Sequence, residues 1–188
     1  MLRWILGVLI ALVIVIKIVG ISIGNELLAF PLLPFPRPGK VYDTLETSNH
    51  SFKVRLTARH ERNGGFLPGA YYKLESASNG SEKWAKVFQE KADDPRPIPK
   101  HRIRFVGKTT VYSYMRQNYA VTVNGGASWS VWNVAREFTG DDPPYGILAV
   151  TIRQDGAGKL LMRSRTDRQP RIELHTKDYG QHWMRTDS

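Results

Sequence analysis

The sequence predicts an all-β fold, a compact antiparallel domain preceded by one N-terminal transmembrane helix. From about residue 41 no segment sustains a helical period, and apolar residues instead alternate with polar or basic ones. Turn signals separate these stretches: "NGG" at 63–65, "NG" at 79–80, "NGG" at 124–126, "DG" at 155–156 and "DYG" at 178–180. One octapeptide pattern recurs near the end of three strand-rich sections, which makes the domain a chain of three hairpin-ended units.

Residues 1–3 read as a cytoplasmic N-terminus and residues 4–24 as a signal-anchor. Trp4 to Gly24 is apolar over 21 residues, with Lys17 the only charge. About 20 apolar residues at ~1.5 Å rise each span a ~30 Å hydrocarbon layer. Lys17 lies close enough to the outer end to snorkel. A cleaved signal peptide, cut after the small residues Ser22 and Gly24, is the alternative, but no A-x-A site is present. Arg3 before the span, and Asn25 and Glu26 after it, put the remainder outside. The reading is a single-pass protein of a bacterial inner membrane, its C-terminal domain in the periplasm. Residues 25–40 form a linker, with four prolines between Phe30 and Lys40 that make it extended and semi-rigid.

The β domain occupies residues 41–188. "FKVRLTAR", "AYYKLES", "HRIRFVG", "TVYSYM", "YAVTV", "SWSVWNV", "ILAVTIRQ", "KLLMRSR" and "RIELHTK" read as short half-buried strands. Pro/Asp-rich connections at 90–100 and 138–146 divide them into sections of about 41–89, 101–138 and 146–188.

Aligned on a tryptophan near each end, the sections share one spacing. The third contains Thr176, Asp178, Gly180 and Trp183; the second contains Thr122, Asn124, Gly126 and Trp129. Both fit Ser/Thr-x-Asp/Asn-x-Gly-x-x-Trp without a gap. The first keeps Asn79 and Trp84 but has Ala77 and Ser81 in place of the hydroxyl and the second glycine. An Asp or Asn in a turn accepts backbone N–H bonds two residues on, and glycine supplies positive φ. The hydroxyl braces the acid or amide, and the tryptophan folds back over the hairpin with its N–H as a polar handle. These octapeptides resemble the Asp-box, or BNR, repeat of sialidases and other β-propeller proteins. The resemblance covers the three octapeptides and their flanking strands. It implies that these residues are determinants of the hairpin fold and not a catalytic site. Propellers close with four to eight blades. Three units imply either a small three-bladed or sandwich-like domain, or an incomplete propeller that another chain completes, with self-association through an open sheet edge.

The resemblance to sialidases invites an enzyme reading, which the sequence does not support. "RPIP", Arg96 to Pro99, is interrupted relative to the Arg-Ile-Pro element of that family, and the chain is about half the size required. His50, His60, His101, His175 and His182 have no metal-ligand spacing, and neither a nucleophile elbow nor a Walker loop occurs. The expectation is no enzyme, no cofactor and no metal. With no cysteine among 188 residues, disulfides, thiolate metal sites and a cysteine nucleophile are excluded outright.

Lys and Arg number 27 against 17 Asp and Glu. Many lie at alternate strand positions: Lys53, Arg55 and Arg59, then Arg102 and Arg104, then Arg163 and Arg165. In an outward-facing tethered domain this charge serves solubility, anionic lipids, surface glycans or an acidic protein rather than nucleic acid. The candidate contacts are loops 90–100 and 138–146, represented by Arg96, Lys100, Asp141, Asp142 and Tyr145. The expected partner is a protein, either a secreted toxin neutralised by an immunity protein or a subunit of a membrane complex. Glycan binding through Tyr71, Tyr72, Trp132 and Tyr145 is the alternative.

Overall fold

The computed structural model of the protein describes residues 39–61, 69–92, 96–140, 145–164 and 171–185. The predicted membrane span 4–24, nearly all of the linker, and Asp141, Asp142 and Arg165 lie outside the described residues. Among the described residues twelve strands form three four-stranded antiparallel sheets. Sheet 1 is β1 (Val41–Ser48), β2 (Phe52–Glu61), β3 (Gly69–Ser78) and β4 (Ala85–Ala92). Sheet 2 is β5 (Ile103–Val106), β6 (Thr110–Met115), β7 (Asn118–Thr122) and β8 (Ser130–Asn133). Sheet 3 is β9 (Tyr145–Ile152), β10 (Gly158–Ser164), β11 (Ile172–Thr176) and β12 (Met184–Arg185). In each, strands pair in chain order, so every sheet is a simple meander.

Alternation decides how the sheets stack. Phe52, Val54, Leu56 and Ala58 of β2 are buried on one face, with Lys53, Arg55 and Arg59 on the other. The buried row joins Leu74 and Phe88 and packs on Ile103, Val111, Met115 and Ala120 of sheet 2. The opposite face of sheet 2 carries Tyr112, Tyr114, Tyr119 and Val121, which pack with Ile147, Val150, Leu160, Met162 and Leu174 of sheet 3. Sheet 2 is therefore the middle layer, covered on both faces, and all six residues of β6 are buried. Each fully buried Leu or Met in these layers contributes on the order of 1.5–3 kcal/mol.

Three departures from the sequence reading have physical causes. The strands β1, β4 and β12 have no counterpart among the predicted ones. In β4 a bulge opposite Leu74 and Glu75 breaks the two-residue period, leaving Val87 and Phe88 adjacent. In β1 only Leu45 contributes partly buried apolar surface to the core. A short helix α1 (Val134–Thr139) follows β8, started by Asn133, whose side chain accepts from the Arg136 N–H at 3.0 Å. Its buried Val134 and Ala135 seal the core between sheets 2 and 3. Finally, β6 and β7 are not half-buried strands; a run without a charge, "TVYSYM", is the sequence signal of a strand covered on both sides.

Candidate functional site

The recurring octapeptide occupies one place in every sheet, between its third and fourth strands. In sheet 3, Thr176 Oγ1 donates to Asp178 Oδ1 at 2.7 Å and accepts from the Gly180 N–H at 2.9 Å. Asp178 Oδ1 also accepts the His182 N–H at 3.0 Å, while its Oδ2 lies 2.6 Å from His182 Nδ1. Sheet 2 repeats the network: Thr122 Oγ1 donates to Asn124 Oδ1 at 2.9 Å and accepts from the Gly126 N–H at 3.0 Å. Asn124 Oδ1 accepts the Ser128 N–H at 3.0 Å. The acid or amide thus takes a donor four residues on, not two, so it closes the whole turn. Burial pushes the Asp178 carboxyl up, but hydrogen bonds from His182 and Thr176 outweigh this and hold it below the ordinary value.

Each of these hairpins leans on the preceding sheet. Trp129 Nε1 donates to Ser76 Oγ of sheet 1 at 3.1 Å. Trp183 meets Tyr119 of sheet 2 edge to face, with ring centroids 5.3 Å apart. Tyr119 donates its hydroxyl to the Tyr179 carbonyl at 2.9 Å. Burial raises the phenol's pKa and keeps it a donor.

The first hairpin departs from this pattern, and its place in the stack explains why. Asn79 does not head a turn network; its side-chain amide donates to the Asn49 carbonyl, tying the hairpin to the β1–β2 turn. Gly126 and Gly180 stand against Phe52 and Tyr119 of the preceding sheet. Among the described residues no sheet precedes sheet 1, and Ser81 meets no such neighbour there. The same logic governs the strands. Leu174 and Ala120, two residues before Thr176 and Thr122, are fully buried against the preceding sheet. The matching residue of sheet 1, two before Ala77, is Glu75.

Glu75 is only 5% exposed, yet ionic. It receives Arg55 Nη2 at 2.9 Å and Lys73 Nζ at 2.5 Å. Burial raises its pKa, while the hydrogen bonds from Lys73 and Arg55 lower it further than burial raises it. Above the pair lies Trp84, with Arg55 Cζ 4.0 Å and Lys53 Nζ 4.8 Å from its ring centroid. By register, Lys86 opposite Glu75 and Lys91 opposite Tyr71 share this face, as does the exposed Glu46 opposite Arg55. The outward face of sheet 1 is thus a predominantly basic layer, with Glu46 at its β1 edge, organised around one buried carboxylate and one indole.

Sheet 3 ends the stack differently. Its outward face carries Lys159, Leu161, Arg163, Glu173 and His175, mostly exposed, with Glu173 accepting from Lys159 at 2.8 Å. Leu148 at 43% and Met184 at 54% exposure add apolar surface there.

The other predicted contacts scatter. Arg96 and Lys100 are exposed on the connection between sheets 1 and 2. The Arg96 backbone N–H donates to Tyr72 Oη at 2.7 Å, so this loop is pinned to the core. Tyr145, read as a loop contact, lies in β9 with its ring in the core, 6% exposed. Tyr72 is likewise core at 1%, and Trp132 packs on Tyr119, which leaves Tyr71 alone of the four sugar-stacking candidates on an outward face. Arg102 is half-buried over the Tyr114 ring, 4.6 Å from its centroid. A cleft of about 280 Å³, lined by Phe52, Ser76, Lys83 and Gly126 among others, opens at the seam of sheets 1 and 2. Among the described residues no group of three His, Asp or Glu is placed to hold a metal ion. Sequence reasoning missed Glu75 and Trp84 as one cluster; the signal was a charge at the repeat position where the other two units carry Ala120 and Leu174.

No family model, curated protein or solved structure matches the chain. Fold and surface together define an all-β domain of three stacked antiparallel sheets with polar terminal faces.

Proposed function

We propose that this chain is a membrane-anchored, non-catalytic binding domain on the periplasmic face of a bacterial inner membrane, which docks on or occludes a protein partner. The observation that supports it is the outward face of sheet 1. Its Lys53, Arg55 and Lys73 are held in place by Glu75 and Trp84 rather than left to move freely. Such a preorganised surface loses little side-chain entropy on association. The near-identical networks at Thr122–Trp129 and Thr176–Trp183 support an Asp-box reading of the hairpins. The head-to-tail stacking supports a propeller-like arrangement of three blades. One concrete form of the function is an immunity protein that covers the working surface of a toxin reaching the periplasm.

The test is cross-linking of the tagged full chain in its own cells, followed by purification. One discrete protein recovered in near-stoichiometric amount is the expected result; a chain that comes back alone under every growth condition overturns the reading. Deleting the gene while a neighbouring toxin gene is expressed arrests growth if the immunity form holds, and normal growth removes that form.

A further inference from the structure

Resting on that binding role, we infer that the outward face of sheet 1 is the docking surface, and that its occupant is an acidic segment of a protein in extended conformation. The stack repeats one contact: the face of sheet 1 bearing Leu74 covers the face of sheet 2 bearing Ala120. The face of sheet 2 bearing Tyr119 in turn covers that of sheet 3 bearing Leu174. Among the described residues no sheet lies on the face of sheet 1 that matches those of Ala120 and Leu174. There Trp84, the counterpart of two tryptophans that each lie on a preceding sheet, is half-buried against Lys53 and Arg55 instead.

Charge decides what fits. On β2 and β3 this face presents Lys53, Arg55, Arg59 and Lys73, while Glu75 is consumed by Arg55 and Lys73. Among the described residues neither Lys53 nor Arg59 has a carboxylate partner, and Arg59 Nε is buried without an acceptor. Lys53, Arg55 and Arg59 lie on one side of one strand, at multiples of the two-residue step, about 6.8 Å. An extended chain with acids at every second position has the same step, so its carboxylates meet Lys53, Arg55 and Arg59 in register, with Thr57 at the intervening step. The opposite end of the stack offers no such row: Lys159 is already paired to Glu173, and Leu148 and Met184 interrupt the charge.

The test uses the full chain in detergent and a fluorescent decapeptide of alternating Glu and Thr, with a decapeptide of the same composition in two blocks as comparison. Fluorescence anisotropy at low and moderate salt reads the affinity. The alternating peptide is expected to bind saturably and more tightly than the block peptide. Lys53→Glu with Arg59→Glu is expected to weaken it about tenfold or more, while Lys159→Glu with Arg163→Glu, an equal charge change on sheet 3, leaves it within about twofold. Thermal melting of both variants checks that they fold. Equal weakening by the two pairs, or equal binding of the two peptides, overturns the inference in favour of an unspecific basic field. Recruitment to phosphatidylglycerol vesicles that depends on Lys53 and Arg59, with no peptide binding, overturns it in favour of lipid. A dimer in sedimentation that the Lys53/Arg59 pair dissolves overturns it in favour of a second copy. A cross-linked partner that survives the Lys53/Arg59 reversal sinks this surface and leaves the binding role standing; peptide binding without any cellular partner does the reverse.

Discussion

Gly180 has φ +83°, and a Cβ added there would lie 2.3 Å from Tyr119 Oη and 2.8 Å from its Cζ. Gly80 has nearly the same φ, +79°, with nothing within 4 Å. The pair separates conformational strain from steric conflict between sheets. Gly80→Ala is expected to cost about 1 kcal/mol in urea unfolding, and Gly180→Ala about 3 kcal/mol or more. Similar costs at the two sites would mean that sheet 3 does not press its hairpin onto sheet 2. Asp178 offers a second test, since sheet 2 has an amide at the equivalent Asn124. Burial pushes its folded pKa up, but hydrogen bonds from His182 and Thr176 outweigh this and hold it below the ordinary carboxylate value. The stabilisation it gives is therefore complete above the unfolded value and lost as pH falls through the folded one. Asp178→Asn keeps the acceptor for Thr176 and the His182 N–H, so the hairpin persists. The variant is expected to show a smaller loss of melting temperature between about pH 5 and pH 2 than the parent. An unchanged acid slope would remove Asp178 from the ionic account of stability.

Within strands, β6 shows how a middle-layer element is built. Ser113 is fully buried, and its Oγ has no hydrogen-bond partner among the described residues. It faces sheet 1 with Val111 and Met115, between Ile103 and Ala120 in register. Ser113→Ala should therefore leave stability unchanged or raise it by up to about 1 kcal/mol, whereas Tyr119→Phe, which deletes the bond to the Tyr179 carbonyl, should lower it by about 1 kcal/mol. Chemical denaturation of the two variants checks the signs; a destabilised Ser113→Ala would reveal an acceptor for that hydroxyl. Elements with plain alternation, such as β2 and β10, were legible from sequence because each buries one face and wets the other. β4 was not, because its bulge puts Val87 beside Phe88, and β12 was not, because two residues carry no period. α1 is too short for a helical period and is held by its Asn133 cap and by packing under sheet 2.

For the molecule as a whole, the middle sheet belongs to both hydrophobic clusters and couples the ends. Leu56 lies in the cluster of sheets 1 and 2, Leu160 in that of sheets 2 and 3. Leu56→Ala and Leu160→Ala should each lower stability by about 2–5 kcal/mol in one cooperative transition. Far-ultraviolet dichroism and tryptophan fluorescence are expected to coincide in both variants; two separated transitions would show that the sheets unfold as independent units.

The sequence alone determined the all-β class, the division into three sections, and the hairpin positions of Thr122 to Trp129 and Thr176 to Trp183. Those features depend on neighbours in the chain: two-residue alternation, turn glycines, and a hydroxyl and an acid or amide within one octapeptide. It also marked Lys53, Arg55 and Arg59 as a basic row. It did not say which of three similar sheets has both faces covered, why the first octapeptide lacks its glycine, or that Glu75 holds Arg55 and Lys73 beneath Trp84. Tertiary packing decided these, because burial of a strand face depends on which sheet lies over it. A charge at position 75 has the same local chemistry whether it caps a stack or is buried within one. Where no further sheet covers that face among the described residues, the repeat exchanges Ala120 and Leu174 for a carboxylate, two cations and a half-buried indole.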